Sequence, residues 1–187
     1  MTYASCRPVP RLPETLEELD VSNTDIEFLP RLPAGLKRLR ADNCPRLCRL
    51  EALPDGIEHV TFWTCPELSA LPPLPEGLKE LWVVGTAVAS LPRLPRSLEV
   101  LDARCNDGLV SICEDWPGYI GGPSEGGSLH WINLCNSPVA ETVAGNLPGH
   151  VIAELRETGV SGWRFNALFH CVQYANEPFE PEPFVFC

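Results

Sequence analysis

The sequence is short of positive charge: its 187 residues carry 14 lysines and arginines against 25 acids, a net charge of −11. Binding a phosphate backbone needs basic surface, so nucleic acid is excluded as an expected partner. No apolar run approaches the roughly 18 residues of a membrane span, so no membrane association is expected. The opening stretch Met1-Thr2-Tyr3-Ala4-Ser5-Cys6-Arg7-Pro8 lacks an apolar core segment, so no secretory signal peptide is expected, and no Asn-x-Ser/Thr sequon occurs. The nine cysteines contain no Cys-x-x-Cys pair. An odd count without an export signal predicts reduced thiols in a cytosol, not a disulfide framework.

The same scarcity thins out the chemistry. A zinc site needs four ligands at close spacing, and Cys44 and Cys48 are the only spaced pair of cysteines, so no metal and no cofactor are expected. Gly122-Pro123-Ser124-Glu125-Gly126 fits the nucleophile-elbow string, but glycines flank it where a strand and a helix are required. There is no glycine-rich phosphate loop.

What the chain has in excess is proline in phase. Leu-Pro pairs open units at Leu12-Pro13, Leu32-Pro33, Leu53-Pro54, Leu74-Pro75 and Leu94-Pro95, at spacings of 20, 21, 21 and 20 residues. A fixed short period is the signature of a stacked repeat. The fifth positions are Leu16, Leu36, Ile57, Leu78 and Leu98; the eighth are Leu19, Leu39, Val60, Leu81 and Leu101; the tenth are Val21, Ala41, Phe62, Val83 and Ala103. The eighth and tenth alternate with polar neighbours, the period of a strand with one buried face. The twelfth residues, Asn23, Asn43, Thr64, Gly85 and Cys105, are expected to turn the chain inward and satisfy turn amides inside the coil. Cys44 and Cys65 stack one repeat apart as buried thiols. Because proline has no amide donor and pushes its predecessor out of the helical region, the segments between strands are predicted to be extended, not helical.

The segments Leu29-Pro30-Arg31-Leu32-Pro33, Leu71-Pro72-Pro73-Leu74-Pro75 and Leu91-Pro92-Arg93-Leu94-Pro95 resemble the short Leu-Pro-x-Leu-Pro class of leucine-rich repeat found in bacterial type III secreted effectors. The resemblance covers roughly residues 10 to 117. It implies an α/β-type solenoid, mostly β, with a parallel concave sheet, an extended proline-rich convex side and a small helical C-terminal cap. It also implies a location in the cytoplasm, or in a host cytoplasm after secretion without a signal peptide. The family's helical N-terminal cap is missing here. Some members carry a ubiquitin ligase domain with its nucleophile in Cys-x-Asp. Cys105-Asn106-Asp107 and Cys113-Glu114-Asp115 match that triplet, but no more than 80 residues follow either, too few for the family's large helical domain. The expectation is no enzymatic activity.

The chain therefore divides into an extended segment (1–11), the repeats (12–139, with a sixth degenerate coil around Leu129, Ile132 and Leu134 and an inserted glycine-rich loop at 118–127), and a cap with a Pro/Phe-rich tail (140–187). In the cap, 150–158 before Gly159 reads as a short helix, and Phe165, Leu168, Phe169 and Val172 at helical spacing read as a second. Residues flanking the eighth and tenth positions should face away from the core. They gather Arg38, Arg40, His59, Trp63, Trp82, Val84, Arg104 and Trp131 into a candidate partner-binding surface. A monomer that binds a protein on its concave face is expected. The alternatives are a thiol-dependent ligase, a scaffold fragment of a longer repeat protein, and rings covered by the chain's own tail or loop.

Overall fold

The computed structural model describes residues 12–112, 129 and 131–140, and the backbone of 164–166 and 171–173. Six strands are parallel neighbours in chain order: β1 (Glu18–Asp20), β2 (Arg38–Arg40), β3 (His59–Cys65), β4 (Glu80–Thr86), β5 (Val100–Asp102) and β6 (Trp131–Asn133). The register sets Leu19, Leu39, Val60, Leu81, Leu101 and Ile132 in one row. One coil is therefore one repeat, and no strand slips against its neighbour.

Each coil opens on the same turn. The amides of Leu16, Leu36, Ile57, Leu78 and Leu98 donate to the carbonyls of Pro13, Pro33, Pro54, Pro75 and Pro95, each at 3.1 Å. Proline supplies only a carbonyl there, so its missing amide costs nothing. A second turn follows the strand, as in Leu47 N–H to Cys44 C=O at 3.1 Å and Leu68 N–H to Cys65 C=O at 3.0 Å. No helix occurs between strands in residues 12–112.

The core is the column of repeat leucines and their equivalents. Leu36, Leu39, Ile57, Val60, Phe62, Leu78, Leu81, Val83 and Leu101 have no exposed surface. Their counterparts in the first coil, Leu16, Leu19 and Val21, are only partly buried, because no described coil stacks beneath them.

Three expectations need correction. The inward polar position is the thirteenth of the repeat, not the twelfth. Asn23, Asn43, Thr64, Gly85, Cys105 and Asn136 all adopt positive φ of 54–61°, and Asn23, Asn43, Thr64 and Asn136 are exposed. A left-handed residue reverses the chain there, and its side chain swings outward: Asn43 Nδ2 donates to Asn23 Oδ1 at 3.1 Å on the outside of the turn column. The next residue along lies inside in every described coil but the first, where Thr24 is exposed yet makes the same kind of bond. Thr24 Oγ1 donates to Val21 O at 2.7 Å, Cys44 Sγ to Val21 O at 3.2 Å, Cys65 Sγ to Ala41 O at 3.0 Å, and Ser137 Oγ to Ala103 O at 2.7 Å. Asn106 is the most heavily used of them, donating to Val83 O and Ala103 O while accepting from Thr86 N–H and Oγ1.

Second, Phe165 and Val172 lie on strands, not on a helix. β7 (Arg164–Asn166) and β8 (Cys171–Gln173) are antiparallel and pair Phe165 with Val172, and β8 also pairs antiparallel with β6. Apolar residues seven apart fit two helical turns, but they also fit opposite positions of a hairpin, and here the unpaired edge of β6 is available to the returning strand. The sheet therefore has eight strands instead of the five or six expected. The short helix expected at 150–158 lies outside the described residues, as do 1–11, the loop at 118–127 and the tail after 173.

Third, Cys135 is disulfide-bonded to a sulfur outside the described side chains, whereas Cys44, Cys48 and Cys65 are free thiols. Spacing along the chain does not report which sulfurs meet in space. Cys135 follows β6, where the parallel run ends and a returning strand pairs alongside.

Candidate functional site: the open face of the sheet

One sheet face carries the leucine column; the other is free of it. The register arranges this open face in rows across the strands. The first row is Glu18, Arg38, His59, Glu80, Val100 and Trp131, and the second is Asp20, Arg40, Thr61, Trp82, Asp102 and Asn133. In the third, Trp63 pairs with Val84, and Arg104 follows two residues after Asp102.

The backbone ends of these strands are closed by short side chains of the face itself. Asp20 Oδ1 accepts from Ser22 N–H at 2.9 Å, Asp102 Oδ1 from Arg104 N–H at 3.1 Å, and Asn133 Oδ1 from Cys135 N–H at 3.0 Å. On the second coil the task passes to Asp42, which accepts from Trp63 N–H at 3.1 Å. The hydrogen bonds from Ser22 hold Asp20 below the usual carboxylate range.

The centre of the face is aromatic. Trp63 and Trp82 lie with ring centroids 6.0 Å apart and planes tilted by 37°, and the Arg104 guanidinium sits 5.4 Å from the Trp63 centroid. Offset rings at this range and a cation over an indole face are both attractive contacts. Trp63 keeps 36% of its surface exposed, whereas Val84 beside it keeps 7%. Arg104 Nε is also 3.4 Å from Asp102 Oδ2, and Asp102 is fully buried. Burial pushes its carboxyl up to about 6, with the Arg104 charge pulling the other way.

Around this centre each described basic side chain of the face has an acidic neighbour. Arg38 meets Glu18 at 2.8 Å, Arg40 meets Asp42 at 3.2 Å, and His59 Nδ1 lies 3.3 Å from Glu80 Oε2. Of the eight candidate residues, the structure brings Trp63, Trp82, Val84 and Arg104 together, sets His59 at the start of the strand that carries Trp63, and leaves Arg38 and Arg40 toward the first coil. Trp131 is placed by backbone register only. Asp102 was missed. Its burial depends on what its neighbours cover, and the repeat pattern shows it only as one more polar residue on a solvated face.

The thiols do not assemble a catalytic centre among the described residues. Cys105 lies at a left-handed turn with Asn136 Nδ2 3.9 Å from its sulfur, and Cys65 is pushed up to about 11 by burial, which keeps it protonated and unreactive. Cys113 lies outside the described residues. No group of three or more metal-ligating side chains occurs among the described residues, and no helix there is long and apolar enough to cross a membrane. A pocket of about 380 Å³ is lined by the exposed turn residues Asn23, Asn43 and Thr64, and neither Trp63 nor Trp82 lines it.

No family model and no curated protein matches the chain. Among solved structures, YopM from Yersinia enterocolitica WA-314 is similar at 27% sequence identity and a TM-score of 0.47, over 68% of this chain and 30% of that one.

Proposed function

We propose that this chain is a non-catalytic repeat module that binds a protein partner on the open, concave face of its sheet. The observation that carries the reading is the Trp63–Trp82 pair, held beside Arg104 on a face that the leucine core does not use. Tryptophan and arginine are the residues most enriched where binding energy concentrates. A half-exposed ring pair contributes little to a solenoid whose stability comes from the stacked leucines behind it. The Leu-Pro-x-Leu-Pro units support assignment to the effector class of leucine-rich repeats. Under that assignment the chain acts as a monomer in a host cytoplasm, with neither nucleic acid nor membrane as its target.

The test compares Trp63→Ala, Trp82→Ala and the double variant with wild type, by thermal melting and by affinity capture from host lysate. Each single variant is expected to melt within a few degrees of wild type. Proteins captured by wild type are expected to be lost from each variant, since truncating a central ring typically costs about 2 kcal/mol or more of binding. The two losses should not add, because the rings share one surface. If all three variants fold and retain the same captured proteins, the open face is not the binding site.

A further inference from the structure

Asp102 is the one carboxylate among the described residues with no exposed surface, and it lies within the proposed binding face. Its strand neighbours in register are Trp82 on β4 and Asn133 on β6. Oδ1 accepts the Arg104 amide at 3.1 Å. Oδ2 has no hydrogen bond and faces Arg104 Nε at 3.4 Å. The same guanidinium lies over Trp63, and Trp63 touches Trp82. One proton site is thus linked to both rings through a single arginine.

The pairing is unlike the others on this face. Arg38 and Arg40 meet carboxylates that keep solvent contact, Glu18 and Asp42. Arg104 is tied to an acid that has lost all of its water, with one oxygen left unsatisfied. An ionised carboxylate in that position is costly and depends on its cation, whereas a neutral acid there has a proton to donate and little need of one.

We propose that Asp102 and Arg104 form a clasp that acid releases: the ionised carboxylate holds the guanidinium against Trp63, and uptake of a proton by Asp102 from solvent frees the arginine from the ring. This inference rests on the reading of the open face as the binding surface and adds its regulation. The carboxyl is pushed up to about 6 by burial, so the change falls in a mildly acidic range and not below the ordinary carboxylate range. The groups around it are few. From β4, Trp82 carries no charge, and Glu80 on the same face is matched with His59 of β3 at 3.3 Å. From β6, Asn133 is a neutral amide whose Oδ1 is engaged by the Cys135 amide. On β5 itself Val100 is apolar and Arg104 is the cation. His59 is thus the neighbouring group of the face whose titration must be separated from that of Asp102.

The experiment follows the full chain from neutral pH to about pH 4.5, reading the Asp102 carboxyl carbon by NMR and tryptophan emission in parallel. The expected result is one midpoint near 6 in both signals. Trp63→Phe removes most of the emission change. His59→Gln leaves it in place. Asp102→Asn abolishes it, and the emission of that variant at neutral pH matches wild type in acid, because an amide is a fixed copy of the protonated acid. Should Asp102→Asn fail to fold, Arg104→Gln serves instead: the emission change disappears while the Asp102 midpoint moves higher, since its cation is gone. An Asp102 midpoint in the ordinary carboxylate range overturns the proposal. So does an emission change that survives in either clasp variant, or one that is lost with His59→Gln. Failure of the ring variants to alter partner capture would instead overturn the binding reading and leave the clasp intact.

Discussion

Asn106 shows what one side chain contributes to this architecture. It is 1% exposed, and its amide ties β4 to the end of β5: Nδ2 to Val83 O at 2.6 Å and Ala103 O at 2.8 Å, and Oδ1 from Thr86 N and Oγ1, both at 2.7 Å. A parallel solenoid leaves such groups orphaned wherever the chain turns out of a strand, and no water reaches them in the coil interior. Asn106→Ala strips Val83 O and the Thr86 N–H of this partner, whereas Ala103 O keeps Ser137 Oγ and Thr86 Oγ1 keeps the Val88 amide. Each buried group left unsatisfied costs about 1–3 kcal/mol, so a total loss of about 2 kcal/mol or more is expected in a urea or guanidinium melt. A loss below about 1 kcal/mol would mean that solvent or a neighbour replaces the amide. The thirteenth-position ladder was in principle legible in Thr24, Cys44, Cys65, Thr86, Asn106 and Ser137, all small and able to donate. The twelfth residues are also small and mostly polar, and composition does not say which of two adjacent residues faces inward. Backbone sign decides it, and φ is written in side-chain chemistry only at glycine and, more weakly, at asparagine.

At the scale of the strand, that glycine is informative. Gly85 in β4 is the only glycine among six residues of matching left-handed conformation, at φ 61°. A Cβ built there would meet nothing closer than 3.8 Å, so space is available and only the backbone conformation resists. Gly85→Ala is expected to cost about 1–2 kcal/mol through the left-handed penalty. Gly85→Asn should cost less, since asparagine tolerates this region and already occupies it at 23, 43 and 136. Melting of the two variants side by side checks it; equal losses would show that bulk, not φ, is at issue. The same scale sets how much of the fold could be read in advance. Leucine and proline in phase placed five strands correctly, and the apolar spacing of Leu129, Ile132 and Leu134 a sixth, because each coil repeats the same local solution. The helix read from Phe165, Leu168, Phe169 and Val172 failed because that pattern occurs only once. Its outer pair, seven apart, suits a helix or a hairpin, and without repetition nothing local separates them.

For the molecule as a whole, acid acts in two opposed directions, and the pH windows separate them. Glu58 is held below its ordinary range mainly by its hydrogen bond from Lys79, and Asp20 by Ser22. Groups with a depressed folded value contribute stability above their unfolded value and lose it as pH falls through the folded one, so their loss begins below the ordinary values of 4.5 for Glu58 and 3.8 for Asp20. Both are solvent-exposed, and their contribution is correspondingly screened. Asp102 runs the other way. Its folded value is raised from 3.8 to about 6, so its contribution is fully present below 3.8 and is lost as pH rises through 6. Wild type therefore gains stability as pH falls from about 6 to about 4. Net charge complicates a direct comparison, because approach to the isoelectric point near 4.8 also relieves the self-repulsion of a chain carrying −11. Asp102→Asn removes the titrating group and changes the net charge by one, so the difference between variant and wild type isolates the site. At neutral pH the variant avoids burying an ionised carboxylate but gives up the Arg104 pairing. Whatever its absolute offset, that difference should move in favour of wild type by up to about 3 kcal/mol as pH falls through this window. Denaturant melts of both proteins at about one-unit pH intervals give the curve. A difference that stays flat between pH 6 and 4 would mean that Asp102 is not held at a raised value in the folded chain, and that its burial is compensated by more than Arg104.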